Sequence, residues 1–437
     1  MLTKKYVYGS LALAVMLACG SAQAEEVTKY IDASAENYTS ADDVNYTGNV
    51  KYGIYATAVK TVDLTGKNIN FNISADDSSN PYVGVQSIAN SNSGGGLVNL
   101  GGENTKNITL NVKNTGKKVN EDSDCSAVGI WAHRNYNFTG ENPSKTVVTS
   151  ENLTINAYSE EGYAVGLWVQ NSTTSGSLEQ NGGEAGISTV IVNAKNTVIN
   201  VTSGITEPDK SGEYMNIGIV NYSQGKVEIN NNLTINAGTA ISTRGNAQTV
   251  INKDGKGTVK INGDINFNYN KPTSGTTVDA TVDINLTNKD SFLNGNIFVN
   301  GNPFPPDDKK DVNAMNLSMK DGASWTSDKD SFVNNLTLDG GIITAKNANQ
   351  TITVGDLSGK GDINLAATTD GNTIKTSTIN ITGDVSEGSH LNANLTGITT
   401  DDIKDVDKAL ESIKDNVTGV AHSNTITEGD INGAITQ

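Results

Sequence analysis

The sequence predicts an all-β fold of parallel β-helix type, and three observations carry that expectation. First, short segments with an apolar residue at every second position recur: NINFNI at 68–73, NITLNV at 107–112, NLTINA at 152–157, NTVINV at 196–201, NLTINA at 232–237 and DINFNY at 264–269. At 232–237, Leu233, Ile235 and Ala237 share one side of an extended backbone, and Asn232, Thr234 and Asn236 share the other. Second, a different segment recurs between them: YGIYA at 52–56, VGVQS at 83–87, VGIWA at 128–132, VGLWV at 165–169 and IGIVN at 217–221. Third, the spacing is irregular, as the uneven steps between Gly53, Gly84, Gly129, Gly166 and Gly218 show. A strand with one apolar face cannot bury it alone. Stacking the equivalent strand of the next turn at ~4.8 Å builds a ladder and a continuous core. Linking segments outside the ladder are free to vary in length. A sandwich would need regular tight hairpin links, and Asn-Gly or Asp-Gly pairs between strands are sparse.

Composition agrees. The chain has 437 residues, of which 35% are hydrophobic and 5% aromatic. That is thin for one deep core of this size but sufficient for a slender core along a solenoid. The net charge is −17, and the only arginines are Arg134 and Arg244. Nucleic acid and anionic lipid are therefore poor partners.

Taken in order, residues 1–24 form a signal peptide. Lys4 and Lys5 precede an apolar run from Gly9 to Gly20, too short to span a membrane. Ala22-Gln23-Ala24 places cleavage between Ala24 and Glu25. Cys19 offers a rival lipoprotein cut, but the Leu of Met16-Leu17-Ala18 sits one place late for it. Cys125 is then the one cysteine of the exported chain, flanked by Asp122 and Asp124, and reads as a small buried residue. Residues 25–315 hold the repeats, with polar loops expected at 91–96, 135–150 and 171–186. Asn107, Asn152, Asn232, Asn335 and Asn380 begin glycosylation sequons. Their repeated position on strands reads instead as a polar ladder beside the core. Lys271-Pro272 and the run Pro303 to Pro306 mark excursions, since proline cannot donate to a ladder. About 370 residues at ~25 per turn predict ~15 turns and a rod of ~70 Å.

From Asn316 the pattern becomes more specific. A strand leads to a turn at Asp321-Gly322, a buried Trp325, and a strand through Leu336 and Leu338 ending at Gly340-Gly341. This region resembles the C-terminal passenger segment of monomeric, pertactin-like autotransporters. The carriers are Gly322, Ala323 and Trp325; Leu336 to Gly341; Leu357-Ser358-Gly359 with Gly361; and Ile379, Ile381, Gly383, Gly388 and His390. The resemblance is close over 316–398, and upstream it is only general β-helix patterning. It implies a right-handed parallel β-helix, a capping segment at 316–398 that assists folding at the cell surface, and passage across the outer membrane unfolded, which suits the scarcity of cysteine. One departure stands out. The family continues into a β-barrel, whose strands need aromatic girdles, and no Phe, Trp or Tyr follows Phe332. The chain is then a fragment of a longer autotransporter, a truncated product, or a passenger-like protein held or released in another way.

Residues 399–437 are expected to form an amphipathic helix and a strand-like tail. Ile403, Val406, Leu410, Ile413 and Val417 recur at helical spacing, Thr399 with Asp402 suits a capping box, and Gly419 suits a stop.

No residue pattern for catalysis emerges. The pairs Asp42-Asp43, Asp76-Asp77, Asp307-Asp308 and Asp401-Asp402 lie far apart and read as solvated turns. His133, His390 and His422 are scattered, with His133 expected to be exposed after its strand. No nucleophile elbow, zinc spacing or phosphate loop is present. The sequence therefore predicts no catalytic, metal or cofactor-binding residues and no cofactor. The leading expectation is a non-enzymatic adhesin, surface-displayed or secreted by a Gram-negative-type bacterium. Its partner would be a host surface, matrix, glycan or sister cell, bound through loops such as 135–150 and 171–186. The alternative is a polysaccharide-lyase-like β-helix enzyme, which would need aligned carboxylates from adjacent turns.

Overall fold

A computed structural model describes residues 25–26, 29–89, 94–120, 123–134, 142–171, 187–209, 212–245, 247–268, 280–300 and 314–399, together with 402, 404, 405 and 408. These residues form one parallel β-helix. Its strands pair in parallel throughout, apart from a single antiparallel hairpin between Ala367–Thr369 and Ile374–Thr376 and an isolated antiparallel bridge between Thr57 and Gly95.

Each coil contributes to three ladders. The first contains Val44–Gly48, Asn68–Ala75, Asn107–Asn114, Asn152–Ser159 and Asn196–Ser203, stacked in unbroken register. The second contains Tyr52–Ala56, Tyr82–Ala89, Ala127–Arg134, Ala164–Asn171 and Asn216–Tyr222. These are the two recurring strands expected from sequence. The third ladder was not expected. It contains Thr61–Leu64, Leu97–Leu100, Lys145–Val148, Thr189–Val192, Lys226–Ile229 and Gln248–Ile251. Each of these strands is four residues long and buries only its second and fourth. Two apolar residues give too short a period to separate from a loop. Lys145–Val148 accordingly falls inside the stretch 135–150 expected to be loop.

A further correction concerns 264–269. Its alternation matches the first ladder, but Asp264 to Asn268 pair with Thr239 to Arg244 in the second. The first-ladder rung of that coil is Val259 to Asn262. Likewise Gly340-Gly341 does not end a strand. Ser331–Ala345 runs through it, with Gly340 at φ +78° forming a bulged corner between the third and first ladders. The pairing continues across 315–316: Ala314–Lys320 stacks between Thr281–Leu286 and Ser331–Ala345.

Coil length varies as the irregular spacing requires. One coil carries the chain from Asn107 to its partner Asn152, whereas another needs only the step from Ser324 to its partner Ile342. Among the described residues there are about twelve coils, fewer than ~15 because mid-rod insertions consume chain, and at ~4.8 Å each the rod is ~60 Å long.

One apolar cluster threads the whole rod, from Ile31 to Ala393. Trp325 is fully buried in it, and its indole N–H donates to Gly295 O at 3.0 Å. The Asp321-Gly322 turn forms as expected, with both residues at positive φ and Ala323 N donating to Lys320 O at 2.9 Å. Near the C-terminal end the Thr399–Asp402 contact forms: Thr399 N and Oγ1 donate to Asp402 Oδ2 at 2.7 and 2.8 Å. Of the amphipathic helix predicted over 400–418, Lys404, Asp405 and Lys408 are also described, with Lys408 N donating to Asp405 Oδ1 at 3.2 Å; its apolar positions Ile403, Val406, Leu410, Ile413 and Val417 lie outside the described residues.

Candidate functional site

The second ladder explains its own glycine motif. In Ala127–Arg134, Ala127, Ile130 and Ala132 join the main core, whereas Val128 joins a separate outer cluster with Val83, Val165, Ile217 and Val220. The parity of inward and outward residues therefore shifts at Gly129. A Cβ on Gly129 would lie 2.3 Å from Ile155 Cγ2 and 2.6 Å from Gly166 O; one on Gly166 would meet Ile199 Cγ2 at 2.3 Å and Gly218 O at 2.5 Å. Only glycine fits this close approach.

The same shift places an unusual set of side chains outward. Register aligns Gln86, Trp131, Trp168 and Val220 in one column, and Ile88, His133, Gln170, Tyr222 and Arg244 in the next. Trp131 and Trp168 stack with centroids 5.0 Å apart and planes 22° apart, close to the rung spacing. His133 stacks on Trp131 at 5.1 Å, and Tyr222 meets Trp168 edge-on at 6.5 Å. Arg244 lies 5.1 Å over the Tyr222 ring and pairs with Glu213, which is buried.

This corrects the expectation that His133 is exposed. Stacking leaves it half-buried, and desolvation lowers its pKa from 6.5 to about 4, so it is neutral at physiological pH. Its neighbour Arg134 is 1% exposed, and burial lowers its pKa. Burial also pushes the Tyr222 phenol up to about 12. The indole nitrogens of Trp131 and Trp168 and the side-chain oxygen of Gln86 are buried without a hydrogen-bond partner. This stripe thus gathers Arg244, two of the three tryptophans and one of the three histidines, while Arg134 shares the inward side of its strand with Ile130 and Ala132 and stacks between Ala89 and Asn171.

The stripe borders the corner between second- and third-ladder strands, which the longest connection, 172–188, also spans. Between second- and third-ladder strands, three successive coils carry the insertions 90–96, 135–144 and 172–188, each longer than the one before. The next coil crosses that corner with only Ser223, Gln224 and Gly225. Of the loops expected to bind, residues 142–150 and Asn171 are described, and Ser144 Oγ donates to His133 O at 2.5 Å. Residues 135–141 and 172–186 lie outside the described residues.

The other sequence candidates are placed elsewhere. Ala24 lies outside the described residues; Glu25–Glu26 forms the first short strand, pairing with Val44 and Asn45. Cys125 is buried, and burial raises its thiol pKa. His390 Nε2 sits 2.7 Å from Asn392 Oδ1 on the last first-ladder strand, far along the chain from His133, and His422 lies outside the described residues. Asp77 caps a local turn, its Oδ1 accepting from Ser79 N at 2.7 Å, and Asp43 links adjacent coils, its Oδ1 accepting from Asn68 N at 2.9 Å. Asp307, Asp308 and Asp401 lie outside the described residues. Among the described residues no three His, Cys, Asp or Glu side chains are grouped as a metal site. Asp264 and Asp328 approach one another, but Asn296 stands between them and donates to both, at 2.9 and 3.0 Å.

The sequon asparagines belong to ladders. Asn107, Asn152, Asn196 and Asn232 each donate to the asparagine one rung earlier, at 2.9–3.1 Å, starting from Asn68. A second column links Asn72, Asn111, Asn156, Asn200, Asn236, Asn262 and Asn294 at 2.6–3.2 Å. Asn335 donates to Asn316 at 2.7 Å.

No protein-family model, curated protein or solved structure matches this chain.

Proposed function

We propose that this chain is a non-enzymatic binding protein, exported and displayed at a Gram-negative-type cell surface in the manner of an autotransporter passenger. One observation carries the reading. The insertions 90–96, 135–144 and 172–188 leave three successive coils from one corner. They do so beside the stripe that gathers Arg244 and the Trp131–Trp168 stack. Variable loops on a rigid repeat are how solenoids build recognition surfaces, and tryptophan, tyrosine and arginine are the side chains that most often anchor partners. The signal-peptide pattern at 1–24 and the passenger-like segment at 316–398 support export. The partner is a host surface, matrix component, glycan or sister cell. The test is binding of purified residues 25–437 to host cells, matrix proteins and a glycan panel, alongside adhesion of bacteria with the gene deleted. Specific binding and weakened adhesion are expected. No binding together with unchanged adhesion would overturn the reading.

A further inference from the structure

A second surface lies on the outer face of the third ladder, away from the coils that carry the aromatic stripe. It is an open groove of about 390 Å³. Three successive rungs line it with paired polar side chains: Asp283 and Asn285, Asn316 and Ser318, Asn335 and Thr337. Register stacks Asp283 on Asn316 on Asn335, and Asn285 on Ser318 on Thr337. The first column is locked by its own hydrogen bonds, Asn335 to Asn316 at 2.7 Å and Asn316 to Asp283 at 2.6 Å. The second column keeps hydrogen-bonding capacity. The Ser318 hydroxyl has no partner among the described residues. Thr337 Oγ1 accepts from Ser358 at 3.0 Å and keeps its own proton. Asn285 uses its amide N–H groups on Asn252 O and Lys253 O, which leaves its oxygen to accept.

We propose that this groove binds an extended linear glycan, one sugar per rung. The rungs repeat at ~4.8 Å, about the advance of one sugar along an extended chain, so each of three consecutive sugars meets one polar group, the Asn285 amide oxygen, the Ser318 hydroxyl or the Thr337 hydroxyl. A peptide fits less well. The backbone groups of these strands are already paired along the ladder, which closes strand addition, and the groove has no aromatic or deep apolar pocket to anchor side chains. Lys253 at the rim offsets Asp283, so neither a polyanion nor a polycation is favoured. The site is independent of the insertions at 135–144 and 172–188.

The test titrates residues 25–437 calorimetrically with cellotetraose, chitotetraose and mannotetraose, and with the matching disaccharides. At least one tetrasaccharide should bind, and more tightly than its disaccharide. Ser318→Arg and Thr337→Arg, on different rungs, should each weaken it about tenfold or more by filling the groove. Their thermal midpoints, and any binding that depends on 135–144, should stay as in the wild type. The two sites predict separable losses, so this idea can fail while the insertion reading stands. It is overturned if no tetrasaccharide binds, or if a folded variant at either rung binds as the wild type does.

Discussion

At Gly166 a single added methyl group would meet Ile199 Cγ2 at 2.3 Å and Gly218 O at 2.5 Å. Gly166→Ala should therefore lower stability by about 1–3 kcal/mol through overpacking. At Gly102 the nearest atom to an added Cβ is Thr65 Cγ2 at 3.5 Å, so Gly102→Ala should change stability by less than ~0.5 kcal/mol. Paired unfolding midpoints check the contrast. His133 gives a pH signature. Its folded pKa of about 4 lies below the ordinary 6.5. Between those values the unfolded chain takes up a proton that the folded chain refuses. Stability from this group is thus complete above pH 6.5 and falls as pH drops toward 4, by up to about 3 kcal/mol. His133→Gln should flatten that part of the pH profile; an unchanged slope would place it in other groups. The glycines were legible in sequence because each recurs at one place in a repeated motif. The burial of His133 and Arg134 was not. Outward residues such as His133 look solvated, and only the aromatic stack on the adjoining rungs reveals that it is covered; Arg134 falls on the inward side of its strand with Ile130 and Ala132, where a charged residue is not expected.

The asparagine columns belong to the scale of the ladder. Asn156 donates to Asn111 at 2.7 Å and accepts from Asn200 at 2.9 Å. Asn156→Ala breaks both links and should cost about 1–2 kcal/mol, seen as a lower unfolding midpoint. The sequon asparagines Asn107, Asn152 and Asn232 are bound in the companion column. Expressed in a glycosylating host, they should stay unmodified, and intact mass would show it. The polar-ladder reading was available from sequence because the asparagines alternate with apolar residues at a fixed strand position. The third ladder was invisible for the opposite reason. A four-residue strand such as Thr189–Val192 follows a variable insertion and carries too few inward residues to establish a period.

At the scale of the whole molecule, stacking converts irregular sequence spacing into regular geometry. A coil as short as Ser324 to Ile342 and one as long as Asn107 to Asn152 add the same axial rise, because the extra residues fall between ladder strands whose register is unchanged. Small-angle scattering from residues 25–437 should report an elongated particle with a core of ~60 Å, and a compact sphere would contradict the fold. Sequence alone suggested a longer rod because it averaged the insertions into every turn. It put binding in the loops at 135–150 and 171–186, but gave no sign that the strands before them end beside the Trp131–Trp168 stack. That juxtaposition is the centre of the account. It is tested most directly by replacing 135–144 and 172–188 with short links like Ser223-Gln224-Gly225, then measuring binding to the target the intact chain recognises, in a chain that also carries Ser318→Arg so that the separate groove does not contribute. The account predicts an unchanged β-sheet spectrum and rod dimensions with binding lost. Undiminished binding by the shortened rod would contradict it.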